Sequence, residues 1–173
     1  MLLQILTQIL RGTPAWVYFL FIGLVVLGYL QSKPREIAPL SLGILPLALG
    51  AFGLARVLGT FGPQPLALAA WGAGIAAALL ANRALQQPAG ARWSASSGTF
   101  HVPGSWVPMA LIMSMFFARY ALAVSRVMQP GLFASAGFAA AVSFGLGLLS
   151  GMFLARAWWV WSRRPAQGLL QRA

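Results

Sequence analysis

The sequence predicts an all-α membrane protein: a polytopic bundle of five transmembrane helices, N-out/C-in, with a short interfacial N-terminal helix and a small hairpin loop on the inner face. Three observations predict it. The chain is 60% hydrophobic, and only 8% of its residues are charged where a soluble domain carries about 25%. Its apolar residues gather into stretches close to the 20 or so that a span requires. Its cations stand singly between those stretches, which is the punctuation that membrane topology produces and not the clustered basic patch of a nucleic-acid binder.

In Met1–Leu10, residues Leu2, Ile5, Leu6 and Ile9 fall on one helical face, so this segment reads as an interfacial helix or as an extension of the first span. The first span is expected at 14–30, with Thr13 as N-cap and Pro14 at the first helical position. The second is expected at 37–58, with Glu36 at its start and a kink at Pro46. Thr60 to Pro65 is a tight turn by its Gly and Pro content, and the third span follows at 66–82. The polar loop 83–104 comes next. Within it Arg92 to Pro103 forms two alternating arms around Ser96-Ser97-Gly98, a hairpin anchored by Trp93 and Phe100. The fourth span is expected at 106–124 with Ser105 as cap, the fifth at 132–158, and a basic tail at 162–173. All 173 residues form one membrane domain.

Orientation comes from the arginines. With the N-terminus outside, Lys33, Arg35, Arg83, Arg92, Arg156, Arg163, Arg164 and Arg172 lie inside, against Arg11, Arg56, Arg119 and Arg126 outside. The aromatic residues follow the same boundaries. Trp16, Tyr18 and Tyr120 fall at the outer interface, and Tyr29, Trp106, Trp158, Trp159 and Trp161 at the inner one.

Small residues spaced by four mark the faces where membrane helices touch. Ala69, Ala73, Ala77 and Ala81 form such a stripe on the third span, with Ala70, Gly74 and Ala78 beside it. Ser143, Gly147, Gly151 and Ala155 form one on the fifth.

Chemistry is bounded tightly by one acid, Glu36, one histidine, His101, and no cysteine. Paired carboxylates, metal clusters and thiolate nucleophiles are all excluded, so no catalytic residue, metal or cofactor is expected. His101 reads as a surface residue. The informative residues are the arginines. Arg119 lies about 20 Å along its helix from Trp106, within the hydrocarbon, and its side chain tilts back toward the membrane centre. Its counter-group must be a carbonyl freed at Pro46, a hydroxyl such as Ser114 or Tyr120, water, or a borrowed anion, since Glu36 is at the opposite face. Arg56, Arg119 and Arg126 together are therefore candidates for binding a lipid headgroup or small anion. Snorkelling and turn anchoring are the alternative.

Thr13-Pro-Ala-Trp-Val17, and Gly98-Thr-Phe-His-Val-Pro-Gly-Ser-Trp-Val-Pro108 leading into Phe116-Phe117 and Tyr120, resemble small bacterial multi-spanning membrane proteins that share a domain of unknown function. The resemblance covers most of the chain. It implies the bacterial inner membrane and this helix count, and transfers no activity. The expected role is non-catalytic binding, as an accessory, assembly or lipid-interacting component. Its partners would be membrane lipids, a second copy or another membrane protein, and not nucleic acid. A small oligomeric transporter or channel for an anionic solute is the alternative reading.

Overall fold

The computed structural model describes residues 12–85, 88–94 and 97–162, without the side chains of residues 39, 40, 42 and 45. The expected N-terminal helix and the basic tail beyond Ser162 lie outside the described residues. Among the described residues five long helices and three short strands follow one another as α1 (Ala15–Ser32), β1 (Arg35–Ile37), α2 (Pro39–Phe61), α3 (Pro65–Leu85), β2 (Arg92–Ser94), β3 (Thr99–Val102), α4 (Val107–Met128) and α5 (Ala136–Ser162). A 3-10 turn at Pro130–Ala134 joins the last two helices. Four of the helices, α1, α3, α4 and α5, are long and apolar enough to cross a membrane; in α2 the shorter apolar segment is Pro46–Phe61.

The three strands form one antiparallel sheet in the order β1-β3-β2. The hairpin pairs Trp93 with Phe100 across its strands, with Gly98 in the left-handed region at φ 63° closing the turn. β1 extends the sheet by pairing Arg35, Glu36 and Ile37 with Val102, His101 and Phe100. This corrects the expectation that Glu36 and Ile37 open the second helix. Ala38 precedes Pro39 and is held extended at ψ 143°, so the helix starts only at the proline.

The helix ends on the sheet side are the C-termini of α1, α3 and α5 and the N-termini of α2 and α4. The sheet therefore caps one end of the bundle. It is fastened there by Phe100, which is fully buried with Ala91 and Val160 and meets Trp93 edge to face at 4.8 Å. At the other end Phe61 stacks on Phe133 and meets Phe138 edge-on beneath the α4–α5 turn.

The tightest contact is α3 against α5. A Cβ placed on Gly74 would strike the backbone at Phe144, one on Gly147 would strike the Trp71 carbonyl, and one on Gly151 would lie 2.8 Å from Ile75 Cα. Backbone touches backbone along this seam, which is how helices associate where lipid removes the hydrophobic drive. Ser143, Gly147, Gly151 and Ala155 are buried on α5. On α3 the buried residues are Ala67, Gly74, Ala78 and Asn82, whereas Ala69, Ala73 and Ala81 are exposed and Ala77 is half-buried. The expected packing stripe of Ala69, Ala73 and Ala77 is thus replaced by the neighbouring one. Gly74 admits α5 more closely than any Ala, and the buried amide of Asn82 donates through Nδ2 to the Ala155 carbonyl at 3.2 Å.

α1 packs on α4, with Phe21 between Phe116 and Phe117, Tyr29 beside Trp106, and Met109 over Gly28. Several helix starts differ from the sequence reading. Pro14 is the residue flanking α1, and the Thr13 hydroxyl bonds the Tyr120 hydroxyl at 2.6 Å instead of capping. Ser105 Oγ accepts from the Val107 amide, one position ahead of the flanking Trp106. The 3-10 turn occupies the expected start of the fifth span. Ser135 starts α5 instead, its Oγ accepting from the Phe138 amide at 3.5 Å and its carbonyl from the Ala139 amide at 3.0 Å.

Candidate functional site

Two cationic sites stand at opposite ends of the bundle. The first gathers the arginines singled out by sequence at the end away from the sheet. α2 carries Phe52 and Arg56 four residues apart on one face, and α4 brings Arg119 against them. The Arg119 guanidinium lies 4.9 Å and the Arg56 guanidinium 5.3 Å from the centre of the one Phe52 ring. Both distances fall within the reach of a cation–π contact. Arg126, in the last turn of α4, stands 5.4 Å from the Phe133 ring in the adjoining 3-10 turn. α4 runs four residues beyond its expected end, and this extension makes Arg126 helical.

In place of the hydroxyls of Ser114 and Tyr120, Arg119 meets an aromatic face. Ser114 is exposed, and the Tyr120 hydroxyl is taken by Thr13. Phe52 was legible as a ring one turn before Arg56, but its meeting with α4 was not. The two guanidinium groups sharing this ring repel each other. Glu36, the chain's single acid, lies at the sheet end.

The second site was not anticipated. Between the sheet, the start of α2 and the end of α5 opens a cleft of about 360 Å³, walled by Pro46, Phe153, Val160, Pro108 and Ile37 and holding Arg35, Glu36 and Arg156. Arg156 is 9% exposed, and its Nη1 has no hydrogen-bond partner among the described residues. By sequence alone Arg156 reads as an inner-side topological charge. Yet it precedes Trp158, Trp159 and Trp161 on α5, and so lies on the membrane side of that belt.

Strand alternation sorts the other two charges. Phe100 faces the bundle, so its neighbours in register, Ile37 and then Arg35 opposite Val102, face the bundle also. Glu36 lies opposite His101 on the outer face, where Oε2 accepts from Thr99 Oγ1 at 3.0 Å. The acid is thus engaged by a hydroxyl on the strand face opposite Arg35. Arg35 donates through Nη2 to Gln31 Oε1 at 3.4 Å. Burial holds its pKa below the ordinary arginine value, and the group remains charged at neutral pH.

The aromatic anchors flank these sites. Trp16 is exposed at the start of α1, and Trp106, Trp158 and Trp161 are exposed around the sheet end, with Trp159 half-buried beside them. No curated protein and no solved structure matches the chain. A family model covers residues 2–166, nearly all of the chain, and by that match the chain belongs to a family of unknown function, DUF6622.

Proposed function

We propose that this chain is a five-span protein of the bacterial inner membrane, N-out/C-in, that works by binding and not by catalysis, as an accessory, assembly or lipid-interacting component. α2 supplies the fifth span: its 23 residues amount to about 35 Å of helix running from the sheet end to the opposite one. Among the described residues Lys33, Arg35, Arg83, Arg92 and Arg156 gather at the sheet end, against Arg56, Arg119 and Arg126 at the other, which favours the sheet on the cytoplasmic side.

The observation that carries the binding role is the pair of guanidinium groups on Phe52. A ring face offsets part of the cost of a cation in lipid, about 1–2 kcal/mol, but does nothing for the repulsion between Arg56 and Arg119. An anionic headgroup between them and Arg126 relieves both. Native mass spectrometry of protein released from nanodiscs of phosphatidylglycerol and phosphatidylcholine tests it. Wild type is expected to retain phosphatidylglycerol preferentially, and Arg56→Leu combined with Arg119→Leu is expected to lose that preference. Equal retention by the two proteins overturns the reading.

A second reading, an oligomeric transporter or channel for an anionic solute, draws on the presence of cations at both ends of one bundle. Arg119-dependent anion flux in proteoliposomes is its test, and a tight bilayer rejects it.

A further inference from the structure

Arg156 is the one guanidinium group among the described residues that is nine-tenths buried, and it lines an open cleft with a donor left unused. A buried polar group without a partner is destabilising, and a charged one more so. Arg35 adds a second positive charge to the same cleft, near enough for the two to repel. Glu36 also borders the cleft, but its side chain leaves β1 on the face opposite Arg35 and its Oε2 accepts from Thr99 Oγ1. The cleft therefore sets two cations against one acid and leaves a buried Arg156 donor unused.

We propose that this cleft binds a phosphoryl group carried on an apolar body, with Arg156 as its principal ligand and Arg35 as the second. Two guanidinium groups present several fixed N–H donors, a set that matches the multiple oxygens of a phosphoryl group. The walls contributed by Pro46, Phe153, Pro108 and Val160 suit the hydrocarbon attached to it. Depth selects the same chemistry. Exposed Trp106, Trp158 and Trp161 mark this end as the interfacial one, which sets the cleft just inside the headgroup level, where phosphates are the abundant anions. The site lies at the opposite end of the bundle from Arg56, Arg119 and Arg126, so its test is independent of theirs.

The measurement is ligand-dependent thermal unfolding of the whole protein in a non-ionic detergent, with three probes: dioctanoyl phosphatidylglycerol, inorganic phosphate and uncharged dioctanoylglycerol. Phosphatidylglycerol is expected to raise the unfolding temperature. Arg156→Met is expected to weaken its apparent affinity about tenfold or more while being no less stable than wild type without ligand, because the change removes an uncompensated charge. Arg35→Gln, at a partly exposed position on the short edge strand β1, is expected to weaken it by a smaller factor and decides the matter should Arg156→Met fail to fold. An Arg156-dependent response to inorganic phosphate alone identifies a free phosphoryl solute as the source, and a response confined to phosphatidylglycerol identifies a lipid. Dioctanoylglycerol acting as strongly as its phosphorylated counterpart, no response to either phosphoryl probe, or variants that respond like wild type would each overturn the proposal.

Discussion

Arg119 and Arg156 meet the same physical difficulty by different means. Each is a guanidinium group held in or near hydrocarbon by a chain with a single acid. Arg119 rests on the Phe52 ring, which it shares with Arg56, whereas Arg156 faces a cleft with its Nη1 unused. The contrast yields a double-mutant cycle. Phe52→Leu is expected to destabilise the protein by about 1–2 kcal/mol in denaturant titration, and by appreciably less when Arg119 is already Leu. Equal effects in both backgrounds would mean that the ring does not support the cation. Gly147 poses the opposite problem, since it succeeds by having no side chain. Gly147→Ala drives a Cβ into the Trp71 carbonyl and is expected to cost about 1–3 kcal/mol, read as a lower midpoint of unfolding. Gly145 on the same helix has nothing near its missing Cβ, and Gly145→Ala is expected to be neutral or slightly stabilising.

The helices were legible because apolar length is written locally, residue by residue. The hairpin was legible too, because Ser97-Gly98 stands between two alternating arms. β1 was not, since Arg35-Glu36-Ile37 has no pattern of its own and becomes a strand only through its pairing with β3. The same distinction explains the small-residue stripes. Neighbouring stripes on α3 are both rich in Ala, and a rotation of about 100° per residue separates the buried set from the exposed one. Gly74 and Asn82 mark the right face only once α5 is seen against them. Gly104 ties the two layers together, because a Cβ there would strike the Ser32 carbonyl at the corner between α1 and β1. Gly104→Ala is therefore expected to loosen the sheet from the bundle and expose the hairpin to limited proteolysis, with the spans left intact. Unchanged protease resistance would show that this corner yields without cost.

Taken together, α1 to α5 alternate in direction, so every connection carrying a strand falls at one end and both short turns, Gly62 to Gln64 and Gln129 to Ser135, fall at the other. The chain has no cysteine, which makes the consequence simple to check. Ser97→Cys and Gln129→Cys occupy exposed positions at the two ends. With an impermeant maleimide applied to intact cells, the cysteine at 129 is expected to label and that at 97 to label only after lysis. The reverse pattern would invert the orientation, and labelling of both from one side would show that α4 does not cross.

Composition and apolar length alone determined that this chain forms helices long and apolar enough for a bilayer, where those helices lie to within a few residues, and that its charge rests almost wholly on arginine, because each of these properties is summed over neighbouring residues. Which stripe of α3 is buried, that Arg119 and Arg56 meet on Phe52, and that Arg156 and Arg35 share a cleft were decided by tertiary structure. Those features depend on the rotation of one helix against another and on a strand paired across more than sixty positions of chain, and no local pattern carries that information.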